Sequence, residues 1–513
     1  MSDRIGTARG AWPVGAGGAG AAECGRGGEC GGRGAQAFVA LLFVLLHLPA
    51  AALVPLVDDE AYYALWADWP SLATYDHPPM VAWLIHLGKL AGGETPLAIR
   101  LPFVIAWGGA VFLAGRVGTL ATGRAVIGTW SALFAAATVP WMVLGFTATP
   151  DGPLALFWTA VMWTVFAWRR TGQGRWPVLG GAFLALALLS KLTAAFLGLG
   201  VLFWLVLTED GRAAFRRPAL WFGVGVCALL LVPWLWWNAT HGWHGFVRQT
   251  ARLGEGHFGL RLLVEYLGSQ ILLVTPLVAW LALRGMARPL AARRHLLVFA
   301  LPLPLFMLWH SLKAAVLAQW VLPAYPAFAV FAAAEAEGRP RRWRVTALAL
   351  AFLLAVLAVT LAFRPGPPLF PGNNPPNQTK GWSAVAGDIA AAAENAGARW
   401  VATTHYGLAG QLHHHLGRRW PVWDVAAPRR YLFRDPFPQA LCAAPALLVA
   451  RNGTRTGDVR RLFAEVVSLG EAVRRSRGAE IDRYPLFVVR GLKLPALCPG
   501  AEEEAASQPS VAK

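Results

Sequence analysis

Long apolar runs, each cut by a short polar insert and bounded by arginines, set the pattern of this chain. Ala37 to Val57 has about the 20 residues that a membrane-spanning helix needs. No small-residue cleavage site follows it before the next polar cluster, so it predicts an uncleaved first span. Leu97 to Gly115 predicts a second, ending at Arg116 and Arg124, while Met80 to Leu90, interrupted by His86 and Lys89, reads as an interfacial helix. The stretches from Arg124 to Arg169 and from Arg175 to Arg212 are too long for one crossing and suit two. They break at Thr149 to Gly152 and at Ser190-Lys191. Arg217 to Arg284 predicts two spans around a polar insert from Asn238 to Arg261. Arg294 to Arg339 predicts two more around Ser311, Lys313 and Gln319, and Val345 to Phe363 makes the last. The expected architecture is a polytopic α-helical membrane protein of about eleven transmembrane helices, in which one hairpin of short spans can be re-entrant instead.

The ends differ in kind. Residues 1–35 and 501–513 lack apolar periodicity and read as disordered tails. Residues 36–363 form the membrane domain and 364–381 a Pro/Asn linker. From 382 to 500 the pattern is that of a small soluble α/β domain. It predicts helices at Ser383 to Ala396 and Asp458 to Val467, and strands at Trp400 to Thr404, Leu447 to Arg451 and Leu486 to Val489.

Composition agrees: 56% of the 513 residues are hydrophobic and 14% charged, far from a soluble average. A net charge of +18 would suggest nucleic acid in a soluble chain. Here the arginines sit in short loops between apolar runs, which excludes that partner and gives an orientation instead. Twenty cations between Arg4 and Arg344 fall on one face, against seven (Lys89, Arg100, Lys191, Arg248, Arg252, Arg261 and Lys313) on the other. The N-terminus is thus expected in the cytoplasm and the C-terminal domain outside the plasma membrane. Five cysteines form neither a zinc signature nor a disulfide framework, although Cys442 can pair with Cys498 in an oxidising compartment. His413, His414 and His415 point in different directions on any regular element and read as a surface cluster rather than a metal site.

The polar residues of chemical interest fall on the outer face of this topology. Asp58, Asp59, Glu60, Asp68, Asp76 and His77 crowd the first outer loop, and Asp151, Lys191, His241, His244 and Lys313 fall in later ones. Carboxylates beside hydrocarbon are costly and usually line a site or a wet cavity. Carboxylates, imidazoles and isolated lysines at a bilayer surface suit transfer from a lipid-borne phosphate to a polar acceptor, with lysine on phosphate and a carboxylate taking a proton. A transporter or flippase is the rival reading, but its ionisable residues belong inside helices, not at their outer ends.

Six motifs in order carry a family resemblance: DDEAYYALW (58–66), YDHPPMVAWL (75–84), ATPDGPLALFW (148–158), LLSKLTAAFLGLG (188–200), PWLWWNATHGW (233–243) and KAAVLAQWVLPAYP (313–326). Together they resemble the bacterial protein-mannosyltransferase-like glycosyltransferases, relatives of the lipid A aminoarabinose transferase. The resemblance implies a C-type glycosyltransferase fold of the bacterial inner membrane. It implies a polyprenyl-phosphate sugar as donor and a lipid, glycan or protein outside the cytoplasm as acceptor. It makes Asp59 the catalytic base, with Asp58 as the alternative and Glu60 in support. Asp76 and His77 stand where relatives have a Glu-Lys pair before Pro-Pro, Asp151 matches a recurrent acid, and Lys191 a lysine aimed at the lipid phosphate. Lys313 and Tyr325 of the last motif join them as substrate-binding residues. His241 or His244, with Asp76, would supply ligands to a divalent metal, the one candidate cofactor.

Overall fold

The computed structural model describes residues 27–254, 258–363, 374–417 and 419–499. The tail before residue 27, linker residues 364–373 and the tail from residue 500 lie outside them. The first helix, α1 (Gly27–Leu53), already begins inside the stretch expected to be a disordered tail. Packing explains the difference: Gly32 lies so close to Ala125 that a Cβ would sit 2.4 Å from its methyl, and Gln36 donates to the Thr119 hydroxyl. Glycines that look unstructured in sequence are here a close helix contact.

After α1 come α2 (Asp58–Trp66), α3 (Met80–Gly92), α4 (Pro96–Thr122), α5 (Ala125–Ala136), α6 (Val139–Leu144) and α7 (Asp151–Thr171). The chain continues through α8 (Arg175–Ser190), α9 (Ala195–Leu207), α10 (Glu209–Ala214), α11 (Pro218–Thr240), α12 (His244–Gly254), α13 (Leu260–Val274) and α14 (Pro276–Ala287). Helices α15 (Arg293–Ala300), α16 (Pro302–His310), α17 (Tyr325–Glu337) and α18 (Arg341–Phe363) complete the bundle. Among the described residues four helices are long and apolar enough to cross a membrane alone: Gly32–Leu53, Pro96–Thr122, Pro218–Thr240 and Arg341–Leu361. The other apolar runs fold as shorter helices in succession. Proline sets several of these breaks, because the ring removes a donor and disfavours helix in the residue before it. At Thr275, with φ of 76° before Pro276, α13 and α14 bend by 99°.

Cations expected on one face meet acids at the end of the bundle away from α2. The buried Glu335 holds Arg288 and Arg339, Glu337 holds Arg124 and Arg344, and Asp210 holds Arg169 and His295.

The C-terminal part opens with α19 (Pro375–Gln378) and α20 (Trp382–Asn395), followed by β1 (Trp400–Thr403) and α21 (Tyr406–Leu416). Then come β2 (Val422–Asp424), β3 (Ala446–Val449), α22 (Thr456–Leu462), β4 (Phe463–Ser476) and β5 (Ala479–Leu492). The five strands lie in the order β2-β1-β3-β5-β4, with β1 parallel to β2 and β3, and β5 antiparallel to β3 and β4. The helix expected from Asp458 to Val467 stops at Leu462. Val466 and Val467 instead pair with Val489 and Val488 across a long hairpin, where β-branched side chains pack well. Arg477 and Gly478, both at positive φ, close that hairpin. Cys442 and Cys498 form a disulfide.

The packing boundary does not follow the linker. Leu56, Ala61, Tyr62, Leu65 and Trp66 of the α2 region and Val81 and Ile85 of α3 share one core with Trp382, Trp400, Leu408, Leu412 and Leu447. The segment between α1 and α4 is therefore part of the hydrophobic core of the C-terminal domain, while the rest of the bundle has a core of its own. Burial of this shared apolar surface, non-directional and roughly proportional to area, holds the acidic helix in place.

Candidate active site

Three consecutive acids open α2, and the helix separates their fates. Negative charge in the first turn suits the helix N-terminus, and Glu60 also accepts the Val57 N–H at 3.1 Å. On a helix, neighbours in sequence point about 100° apart, so each acid meets different surroundings. Glu60 turns into the bundle, where it is fully buried against Arg100 of α4 at 2.7 and 2.6 Å. The same carboxylate accepts the Ala148 N–H at 2.8 Å, and Arg100 donates onward to carbonyls of Ala51, Val54 and Pro55. This knot ties α1, α2, α4 and the turn before α7 together, and leaves Glu60 no face toward a substrate. Asp58, also buried, accepts from Gln411 of α21 at 3.1 Å while its N–H meets Gln378 at 3.3 Å.

Asp59 is the exposed member of the three. Its Oδ1 accepts the Tyr406 hydroxyl at 3.2 Å. Protein crowds it at longer range although water reaches the carboxyl. That crowding, followed by the charges of Asp58, Asp76 and Glu60, pushes its pKa above the ordinary carboxylate value, against the opposing Tyr406 bond.

The wall opposite is cationic. Asp76 accepts from Arg248 of α12 at 2.8 Å, from Arg430 of the C-terminal domain at 2.8 Å and from the Tyr62 hydroxyl at 3.1 Å. Its carbonyl accepts from Gln249. Arg430 lies over the Tyr406 ring at 4.5 Å, and Tyr406 packs on Tyr62 at 4.9 Å. Arg248, Arg430 and Tyr406, none of them anticipated from the sequence, thus build half the site. The signal for Arg248 was its place in the outer insert; nothing local marks Arg430 or Tyr406.

Tyr63 stands where the acids converge. Burial first, then the carboxylates of Asp59, Asp76 and Asp151, raise its phenol far above the usual value, and the His77 ring meets it edge-on at 5.8 Å. Asp151, at the start of α7, pairs with Lys191 at 2.7 Å, both largely buried. Lys191 reaches it because α8 ends there: Lys191 is extended, with φ of −158°. Asp59, Asp76, His77 and Asp151 are therefore grouped around Tyr63, with Lys191 joined to them through Asp151. Lys313 and Tyr325 go elsewhere. Lys313 is exposed with its ammonium 4.6 Å from the Trp309 ring, and Tyr325 is buried with its hydroxyl on Gln270, bracing α13 against α17.

The residues suggested for a metal do not fit one. Both Asp76 oxygens already face guanidinium groups, and His241 stacks on Trp237 at 3.9 Å with Nδ1 turned to the Trp237 carbonyl. Among the described residues no three His, Cys, Asp or Glu gather as a metal group. The three consecutive histidines are half-buried rather than a surface cluster, and His413 pairs with Asp68 at 2.6 Å.

Comparison with known proteins bears on the fold and the sequence. Residues 76–237 match the family described as dolichyl-phosphate-mannose-protein mannosyltransferase. ArnT from Cupriavidus metallidurans, solved with undecaprenyl phosphate bound, superposes with a TM-score of 0.64 at 16% identity over 90% of this chain and 98% of its own. The chain has the fold of this protein. The arabinofuranosyltransferase AftD from Mycobacteria is similar at a TM-score of 0.52 and 15% identity, over 90% of this chain and 40% of its own. In sequence, the lipid A galacturonosyltransferase RgtD of Rhizobium johnstonii is 26% identical over 287 residues, 53% of this chain. The chain thus spans 59% of the length of that curated relative. The resemblance read from the six motifs is to this same group.

Proposed function

We propose that this protein is an integral-membrane glycosyltransferase that moves a sugar from a polyprenyl-phosphate carrier to a lipid, glycan or protein acceptor outside the cytoplasm. The observation that carries the reading is the cluster of Asp59, Asp76, Arg248 and Arg430. An accessible carboxylate of raised pKa, Asp59, faces a wall on which two arginines share one carboxylate, leaving one positive charge over. A sugar phosphodiester brings one negative charge to match it, and ArnT, which has this fold, binds undecaprenyl phosphate.

In the reaction the acceptor hydroxyl oxygen bonds to the anomeric carbon while the carbon–oxygen bond to phosphate breaks. Asp59 receives the hydroxyl proton, and the departing phosphate keeps the electron pair. Arg248 and Arg430 stabilise the charge that grows there, the kind of preorganised electrostatic help that dominates such steps. Phosphate leaves readily, so the demand falls on the base, typically worth about 10² to 10⁴ in rate. Tyr406 orients Asp59, and Lys191, held by Asp151, adds a cation near the carrier. The polar groups gather at helix ends and on the outer loop, which favours transfer chemistry over a midplane transport path.

The charge asymmetry of the loops and the Cys442–Cys498 disulfide, a bond that persists in oxidising compartments, support an extracytoplasmic C-terminal domain on a bacterial inner-membrane protein. The deciding experiment is undecaprenyl-phosphate binding by the purified full chain in nanodiscs, with Lys191→Met and Arg430→Met beside the wild type. Weaker binding in both folded variants is expected, with a lowered Tm in Lys191→Met because Asp151 is left largely buried without its partner. Absence of wild-type binding refutes the reading.

A further inference from the structure

The C-terminal domain has an opening that the proposed reaction does not use. A cavity of about 460 Å³ lies at the carboxyl ends of β1 and β3, lined among others by Thr404, Ala426, Arg451, Asn452 and Asp458. In the order β2-β1-β3 the chain leaves β1 for one neighbour and then crosses to the other, which places the opening at a topological switch point, where open α/β sheets bind ligands. Backbone order defines its floor: the Arg451 N–H donates to the Thr404 hydroxyl at 2.9 Å, and Thr454 donates to the Arg451 carbonyl.

Its position ties it to the cluster around Asp59 and Asp76. Thr404 lines the cavity, and two residues later Tyr406 reaches Asp59. Ala426 lines it too, and four residues later Arg430 reaches Asp76. The two loops that form the cavity wall are therefore the loops that carry the domain's groups to the reaction centre. On the first of them, between Thr404 and Tyr406, is His405, whose pKa is lowered to about 4 by burial and then by the cations Arg451 and Arg430. It is neutral at physiological pH and does not add to the charge.

The chemistry of the lip selects a ligand. Arg451 is exposed and faces no described carboxylate within ion-pair range. Asn452 offers an amide. Asp458, whose carboxylate accepts the Arg455 N–H at 3.3 Å and approaches Arg461 at 3.8 Å, offers an acceptor for hydroxyls. One cation for an anion, with an amide and an acid for hydroxyl groups, suits a sugar carrying a phosphate or carboxylate better than a bare anion, which the acid would repel. We propose that this cavity is an acceptor subsite that holds an anionic saccharide group, with Arg451 on the anion. The proposal rests on the transferase reading above.

The test uses the full chain in nanodiscs and calorimetric titration with glucosamine 1-phosphate, glucosamine and inorganic phosphate, with undecaprenyl phosphate titrated separately. Wild type is expected to bind glucosamine 1-phosphate at least about tenfold more tightly than either part alone. Arg451→Ala should lose at least about tenfold, Arg451→Lys should recover part of it, and Asn452→Asp should weaken binding by charge repulsion. Undecaprenyl-phosphate affinity should stay unchanged in all three variants. Phosphosugar affinity indifferent to Arg451 and Asn452 overturns the subsite, as does equal binding of inorganic phosphate. Loss of undecaprenyl phosphate in these variants also overturns it, since the cavity would then belong to the donor. Failure of the transferase reading is separate, because it shows in the wild type's own carrier titration.

Discussion

Tyr406 donates its hydroxyl to Asp59 at 3.2 Å across a sequence separation of 347 residues. A group from the C-terminal domain thus completes a site whose acid lies just after the first span. The contact predicts how pH acts on turnover. A base must be ionised, so activity should fall on acidification through the pKa of Asp59, which lies above the ordinary carboxylate value. The Tyr406 bond lowers that pKa, so Tyr406→Phe should raise it. The acid limb of a kcat/KM profile should then move to higher pH; a limb that stays in place excludes Asp59 as the titrating base.

The triplet Asp58, Asp59 and Glu60 should separate by assay. Asp59→Asn should reduce turnover at least about a hundredfold with carrier binding retained. Asp58→Asn should cost much less. Glu60→Gln leaves Arg100 buried without its charge partner, a change that typically destabilises by about 3 to 5 kcal/mol, so its signature is a lowered Tm rather than a pure loss of rate. Near-normal turnover in Asp59→Asn with abolition in Asp58→Asn would reverse the assignment.

Docking of the C-terminal domain should hinge on a glycine. Gly410 of α21 sits so near α2 that a Cβ would stand 2.4 Å from the Tyr62 backbone nitrogen. Backbone cannot yield as a flexible side chain would, and overpacking of this kind costs about 1 to 3 kcal/mol. Gly410→Ala should therefore expose the domain to limited proteolysis and depress turnover. Gly387→Ala is the control: it meets nothing within 4 Å, lies inside α20, and should be neutral or slightly stabilising. Equal protease sensitivity in the two variants would dismiss the glycine contact.

Acid should loosen the same interface through Asp68. Hydrogen bonds from His413 and Lys89 outweigh burial and hold its carboxyl at about 2, below an unfolded value near 4. A depressed carboxylate contributes stability that is present above the unfolded pKa and is lost as pH falls toward the folded one. Thermal stability should hence drop between about pH 4 and pH 2 in the wild type. In Asp68→Asn that part of the pH dependence should be missing, with lower stability at neutral pH.

Much of this protein was legible in its sequence because membrane helices and strands are local patterns. The long apolar runs, the helix α3, the breaks near Asp151 and Lys191, and strands β1 and β3 follow from hydrophobic length and periodicity, which neighbouring residues determine between them. The acidic run at Asp58 to Glu60 announced itself because charge beside hydrocarbon is costly. What sequence could not give was which way each acid points. Glu60 and Asp59 are adjacent in the chain, yet one is sealed against Arg100 and the other opens to solvent, and only the packing of α4 and α21 around α2 decides that. Tertiary structure likewise turned the glycines near Gly32 into a helix contact, stopped α22 at Leu462 by offering Val466 and Val467 a partner strand, and brought Arg430 and Tyr406 to a loop more than three hundred residues away. Those outcomes depend on contacts between segments remote in sequence, where no local propensity or period carries the information.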